Sequence, residues 1–126
     1  MTETFVNVRY MVGDVAAALD FYTRHLGFAV QADMKPAFAS VTRGPLRLLL
    51  SGPASSAGRP MPDGRRPEAG GWNRIQLVFA ELAAEVARLR AAELKFRNDI
   101  LKGPGGQQIL LEDPDGNLVE LFQPAG

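Results

Sequence analysis

The sequence predicts an α+β chain made of two copies of a βαβββ module. Two observations carry that expectation. The alternating stretches FVNVRYMV and RIQLVF are each followed by a segment of helical period and then by short apolar strands. The spacing also repeats: Asn7 and Arg74 fall at matching places in the two first strands, and Asp14 and Glu81 match at the same offset of 67 residues.

In the first strand Val6, Val8, Tyr10 and Val12 point one way, and Asn7, Arg9 and Met11 the other. The segment GDVAAALDFYTRHLGF then reads as a helix. Asp14 is suited to its N-cap, Leu19, Tyr22 and Leu26 recur on one face, and Gly27 can end it. Strands AFASVT and LRLLLSG follow, joined by a turn at Arg43-Gly44-Pro45.

The second copy opens with Ile75, Leu77 and Phe79 on one face and Arg74, Gln76 and Val78 on the other. AELAAEVARLRAAELKF is helical, with Leu82, Val86 and Leu89 as its apolar stripe. QQILLE and NLVELFQ close the copy as a hairpin through Asp113-Pro114-Asp115-Gly116, with proline at the second turn position and glycine where φ is positive. Gly103-Pro104-Gly105-Gly106 leads into a strand and not into a helix, so it reads as a mobile turn and not as a phosphate loop. Aligning Gly44 with Gly116 sets Leu46, Leu48 and Leu50 under Leu118, Glu120 and Phe122. The expected boundaries are 5–51 for module one and 73–124 for module two, within a single domain. The Pro- and Gly-rich segment 52–72 between them is a mobile linker or a cover over a site. Its Arg59, Arg65 and Arg66 are expected to be solvated.

Composition narrows the function. The 126 residues include 14 basic and 14 acidic ones, so no general attraction to nucleic acid or anionic membrane is expected. No cysteine is present, which excludes disulfides, thiol nucleophiles and thiolate metal sites. His25 is the sole histidine, and its place at a helix C-terminus explains it without chemistry. MTETFVNVRY has no basic start followed by an apolar run, and no stretch approaches a membrane span. A cytoplasmic protein is expected.

One residue stands out. Glu120 lies on a strand between Leu118 and Phe122 on its own face, and a lone carboxylate there is costly to bury without a partner.

The combination of VGDVAAALDFYTRHLGF in the first copy with EDPDGNLVELFQP closing the second resembles the vicinal oxygen chelate superfamily. That group holds glyoxalase I, bleomycin-resistance proteins, extradiol dioxygenases, fosfomycin-resistance enzymes and methylmalonyl-CoA epimerase. The resemblance implies an open, incomplete barrel with helices outside and a ligand cavity inside. In the metal-dependent members one side chain from the first and one from the last strand of each copy bind a divalent ion. The resemblance places those four positions at Asn7, Leu48, Arg74 and Glu120.

Only Glu120 among them is a good donor for a catalytic metal. Asn7 offers a neutral amide oxygen, Leu48 offers nothing, and Arg74 brings a permanent positive charge. No metal and no other cofactor is therefore expected. Arg74 and Glu120 should instead meet as a charge-assisted pair, which is either a structural plug or, with Asn7, Arg9 and Gln76, a set of polar anchors for a ligand.

The expected function is metal-independent binding of a small organic molecule, of the bleomycin-resistance or drug-sequestration kind. Bleomycin itself fits poorly, because a cationic drug wants an acidic groove. The expected cavity lining takes Asn7, Arg9 and Met11 from the first strand, with Phe38, Leu46, Leu48 and Leu50 from the hairpin of module one. From module two it takes Trp72, Arg74, Gln76, Leu118, Glu120 and Phe122. Trp72 either stacks on a planar ligand or packs the loop. The alternative is an enzyme of the same superfamily, a glyoxalase-like lyase, isomerase or dioxygenase, with Glu120 as general base or metal ligand. Exposed sheet edges give a reason to expect a homodimer.

Overall fold

The computed structural model describes residues 4–126, and its internal contacts divide the chain between Ala69 and Gly70 into two compact units. Each unit is one βαβββ module. The first runs β1 (Val6–Met11), α1 (Val15–His25), β2 (Ala29–Met34), β3 (Phe38–Arg43) and β4 (Leu46–Ser51). The second runs β5 (Ile75–Val78), α2 (Leu82–Ala91), β6 (Leu101–Gly103), β7 (Gly106–Glu112) and β8 (Leu118–Pro124). The sheet orders are β1-β4-β3-β2 and β5-β8-β7-β6. In each sheet the first and last strands pair in parallel and the rest are antiparallel. Neither sheet closes on itself, so β1, β2, β5 and β6 are edges.

In module one the side of the sheet carrying Tyr10, Ala39, Val41, Leu48 and Leu50 is buried, and α1 packs on β3 and β4. Asp14 caps the helix, accepting from the Ala17 amide at 3.1 Å. Tyr22, fully buried, sits at the centre of an aromatic cluster with Phe21 at 4.9 Å, Phe28 at 5.5 Å and Tyr10 at 6.5 Å, all edge-on. Gly27 takes φ 74° just past the helix, a conformation that favours glycine.

Module two repeats the plan with Ile75, Leu77, Leu82, Val86 and Leu89 buried. Its helix is shorter than the sequence suggests, ending at Ala91. Glu93 adopts φ 63°. Its amide donates to the Arg90 carbonyl, and the Leu94 amide to the Leu89 carbonyl, which together form a Schellman stop. Glutamate holds the position normally given to glycine, so the stop left no mark in the sequence. The first amide of α2 is satisfied by the Gln123 side chain at 2.8 Å, not by Glu81. The hairpin turn is built as expected: Gly116 has φ 84°, and Asp113 Oδ1 accepts from the Asp115 and Asn117 amides at 2.9 Å each.

The start of the connecting segment is fastened to module one. The Gly52 amide donates to the Ala37 carbonyl, and the Ser55 hydroxyl donates to the Gly52 carbonyl at 2.6 Å. Ser56–Gly58 forms a short 3-10 turn. A Cβ at Gly58 would lie 2.5 Å from the Gly52 carbonyl oxygen and 3.0 Å from that of Pro53. Backbone cannot yield cheaply there, so Gly58→Ala should destabilise the protein by about 1–3 kcal/mol, read as a lower urea midpoint at unchanged slope. Arg59, Arg65 and Arg66, further along, are exposed, as expected for solvated charges.

Candidate functional site

The uncovered face of each sheet carries the polar side chains that the packing of the helices leaves free. In module two, β5 and β8 run in parallel with Gln76 opposite Glu120 and Val78 opposite Phe122. Leu110 of β7 lies opposite Glu120 on the other side. Partners in register share a face, so Arg74, Gln76, Glu120 and Phe122 stand together.

Glu120 is 7% exposed. Its Oε1 accepts from Arg74 Nε at 3.0 Å and Nη2 at 2.9 Å, and its Oε2 accepts from Gln76 Nε2 at 2.6 Å. Arg74 Nη1 donates to the Trp72 carbonyl at 3.2 Å. The carboxylate thus faces three donor nitrogens from two side chains, two of them on a fixed cation, which is how a strand face can hold a charge this deep. The arginine side chain remains 31% exposed, so only one partner of the pair is strongly dehydrated.

Beside this network lies a cleft of about 170 Å³ lined by Arg74, Arg97, Asn98, Leu101, Gln108 and Leu110, together with Ile109. Trp72 is 68% exposed, and the Arg97 guanidinium stands 5.4 Å from its ring centre. Arg97 also donates to Glu112 at 3.2 Å. Arg97, Asn98 and Gln108 were not anticipated: the first two lie after α2 and outside any strand, where no periodicity marks a facing direction. Leu118 shares the face of Glu120 but is fully covered.

In module one the register corrects the sequence reading. Asn7, Arg9 and Met11 pair with Arg47, Leu49 and Ser51, whereas Leu46, Leu48 and Leu50 pair with Val6, Val8 and Tyr10. Leu46, Leu48 and Leu50 therefore lie on the helix side and not with Asn7, and Leu48 and Leu50 are completely buried there. The physical reason is turn length. β3 and β4 are joined by Gly44-Pro45 alone, with Arg43 opposite Leu46, while β7 and β8 are joined by Asp113–Asn117, with Glu112 opposite Leu118. The two glycines are not equivalent, and a slip of one residue reverses every side chain. The residue matching Glu120 is Leu49.

Two hydrogen bonds mark the corrected face: Arg47 Nε donates to Asn7 Oδ1 at 2.8 Å, and Arg9 Nη1 donates to Ser51 Oγ at 2.7 Å. Arg9 and Phe38 line a cleft of about 440 Å³ with Met34, Ala37, Ala54, Ser55 and Ser56. Met11 lies on the same face, outside that lining.

The donors do not fit a catalytic divalent ion. With the register corrected, the four positions that the family resemblance implies for metal ligands hold Asn7, Leu49, Arg74 and Glu120. Leu49 has no donor, Arg74 is a cation, Asn7 Oδ1 accepts from Arg47, and Glu120 is already held by three donors. Among the described residues no three His, Asp or Glu side chains group closely enough to hold an ion.

Two open βαβββ sheets with these strand orders define a chain of the paired-module α+β class. The chain belongs to the Glyoxalase/Bleomycin resistance protein/Dioxygenase superfamily, whose pattern it matches over residues 4–121. It is similar to a member of that superfamily from Sphaerobacter thermophilus DSM 20745, with 25% identity, a TM-score of 0.76 and 98% of both chains covered. It is likewise similar to TnmS3, an antibiotic binding protein from Streptomyces sp. CB03234, with 25% identity, a TM-score of 0.74 and 98% of both chains covered. Lactoylglutathione lyase from Agrobacterium tumefaciens shares the fold, with 22% identity, a TM-score of 0.72 and coverage of 97% of this chain and 94% of that one. No curated protein matches the chain significantly. No helix among the described residues is long and apolar enough to cross a membrane.

Proposed function

We propose that the chain binds a small organic molecule on its open sheet faces, without a metal and without changing it, in the manner of a drug-sequestering resistance protein. The observation that carries this reading is the state of Glu120. Its two oxygens accept from Arg74 and Gln76, so the one carboxylate at the family's ligand positions is committed to protein donors. A carboxylate whose two oxygens are both taken by protein donors is also not placed to reach a proton on a ligand. Sequestration needs affinity alone, and apolar wall with a few fixed polar groups suits it. Similarity to an antibiotic binding protein supports the same reading. The free edges of β1, β2, β5 and β6 give the chain a means of pairing as a homodimer.

A thermal-shift screen of small organic molecules tests the proposal. A ligand at a hundredfold excess over its Kd should stabilise the folded chain by about 2.7 kcal/mol. Zinc, nickel, manganese and iron(II) should leave the melting temperature where it was. A strong shift with one of these ions, abolished by Glu120→Gln, would return the protein to the metal-dependent members of its family.

A further inference from the structure

We infer that module one carries an anion-selective aromatic site in which Arg9 takes the carboxylate of a planar aromatic acid, with Phe38 and Met34 against the ring. This deepens the proposed function and rests on it.

Arg9 and Arg74, on the open faces of the two sheets, differ in one respect. Arg74 is neutralised by Glu120. Arg9 has no carboxylate partner among the described residues; its partner is the hydroxyl of Ser51, at 2.7 Å. Ser51 is completely buried. A buried hydroxyl thus holds one guanidinium nitrogen of Arg9, and the arginine lines the cleft as a permanent cation with donors beyond that one.

The surroundings of Arg9 suit an aromatic anion. Across the sheet, Met11, Ser51, Phe38 and Met34 form one row, fixed by the pairings Met11 with Ser51, Ser51 with Phe38, and Phe38 with Met34. Phe38 and Met34 therefore offer a ring face and a polarisable thioether next to the guanidinium. Met34 is largely exposed, an uncommon state for so apolar a side chain beside a concavity. The opposing wall, Ala54–Ser56, is held in place by the Gly52 and Ser55 hydrogen bonds and by the tight approach at Gly58. Ser56 adds a hydroxyl to that wall.

No acidic residue lines the cleft. Asp33, the nearest acid along the strand, lies on the other face of β2 opposite Ala39 and pairs with Lys35 at 3.4 Å. A cation entering the cleft would meet Arg9 and nothing to offset it. The volume of about 440 Å³ lies in the range of small-molecule sites, roughly 300–1,000 Å³.

The test uses three isosteric probes: 2-naphthoate, neutral 2-naphthamide and cationic 2-naphthylmethylammonium. Binding of each to the full chain is followed by amide chemical-shift titration. 2-Naphthoate should bind about tenfold or more tightly than the other two, as a charge-assisted contact implies. Shifts should centre on Arg9, Phe38 and Ala54–Ser56. Arg9→Gln should remove the preference for the acid while weak binding of the amide persists, and Arg9→Lys should keep part of it. An unchanged melting temperature guards against misfolding of these variants. Equal affinity for acid and amide, or shifts confined to Arg74, Gln76 and Glu120, would overturn the inference and leave the broader binding reading standing. No saturable binding of these probes, or of any compound in the thermal-shift screen, would overturn both.

Discussion

Glutamate in place of Leu48 should unfold the protein, while glutamate in place of the adjacent Leu49 should leave it folded. Leu48 is completely buried on the helix side of β4, opposite Val8 and Val41. A carboxylate there has no donor to meet and must either stay charged in an apolar core or fold as the neutral acid. Either outcome also forfeits the packing of the leucine. The loss should exceed about 4 kcal/mol, which is most of the stability of many domains. Leu49 shares the open face with Arg9 and Ser40, is only partly covered, and can turn a carboxylate to water. The cost there should be about 1 kcal/mol or less. Urea melts followed by circular dichroism decide the matter. Equal losses at the two sites would mean that the register of β4 is not as described.

The second large effect concerns the Arg74–Glu120 pair. Arg74→Met should cost about 2–3 kcal/mol, because it leaves a carboxylate that is 7% exposed with the Gln76 amide as its remaining donor. Glu120→Leu alone should cost less, since the Arg74 side chain is 31% exposed and can hydrate. The double replacement should be milder than the sum of the two. The coupling between them is expected to be about 1 kcal/mol or more, while strict additivity would show that the side chains do not interact in solution.

These two tests fall where reading from sequence succeeded and where it failed. In module two the alternation of Ile75 and Leu77 with Arg74 and Gln76 is unambiguous, and Glu120 between Leu118 and Phe122 marks its own face. Alternation thus placed each residue on its face, and the ligand positions that the family resemblance implies brought Arg74 and Glu120 together. In module one the strand LRLLLS has leucine at 46, 48, 49 and 50, so apolar period cannot distinguish the two faces. The usable signal was polar: Arg47 and Ser51 alternate through Leu49, on the face where they bond to Asn7 and Arg9. Matching the turn glycines overrode that signal, although the turns differ in length. β2 escaped notice because AVQADM is nearly all exposed, so the strand carries little buried alternation. The early stop of α2 was hidden by Glu93 in a left-handed conformation usually taken by glycine. Arg97 and Asn98 reach the module-two cleft through tertiary placement, which no local pattern encodes.

The proposed binding needs neither metal nor reaction. Isothermal titration of the strongest ligand from the thermal-shift screen, with and without EDTA, tests this directly when the ligand is afterwards recovered and weighed by mass spectrometry. The expected result is the same affinity in both buffers and a ligand of unchanged mass. Binding that disappears in EDTA and returns with a divalent ion, or a recovered product of altered mass, would contradict it.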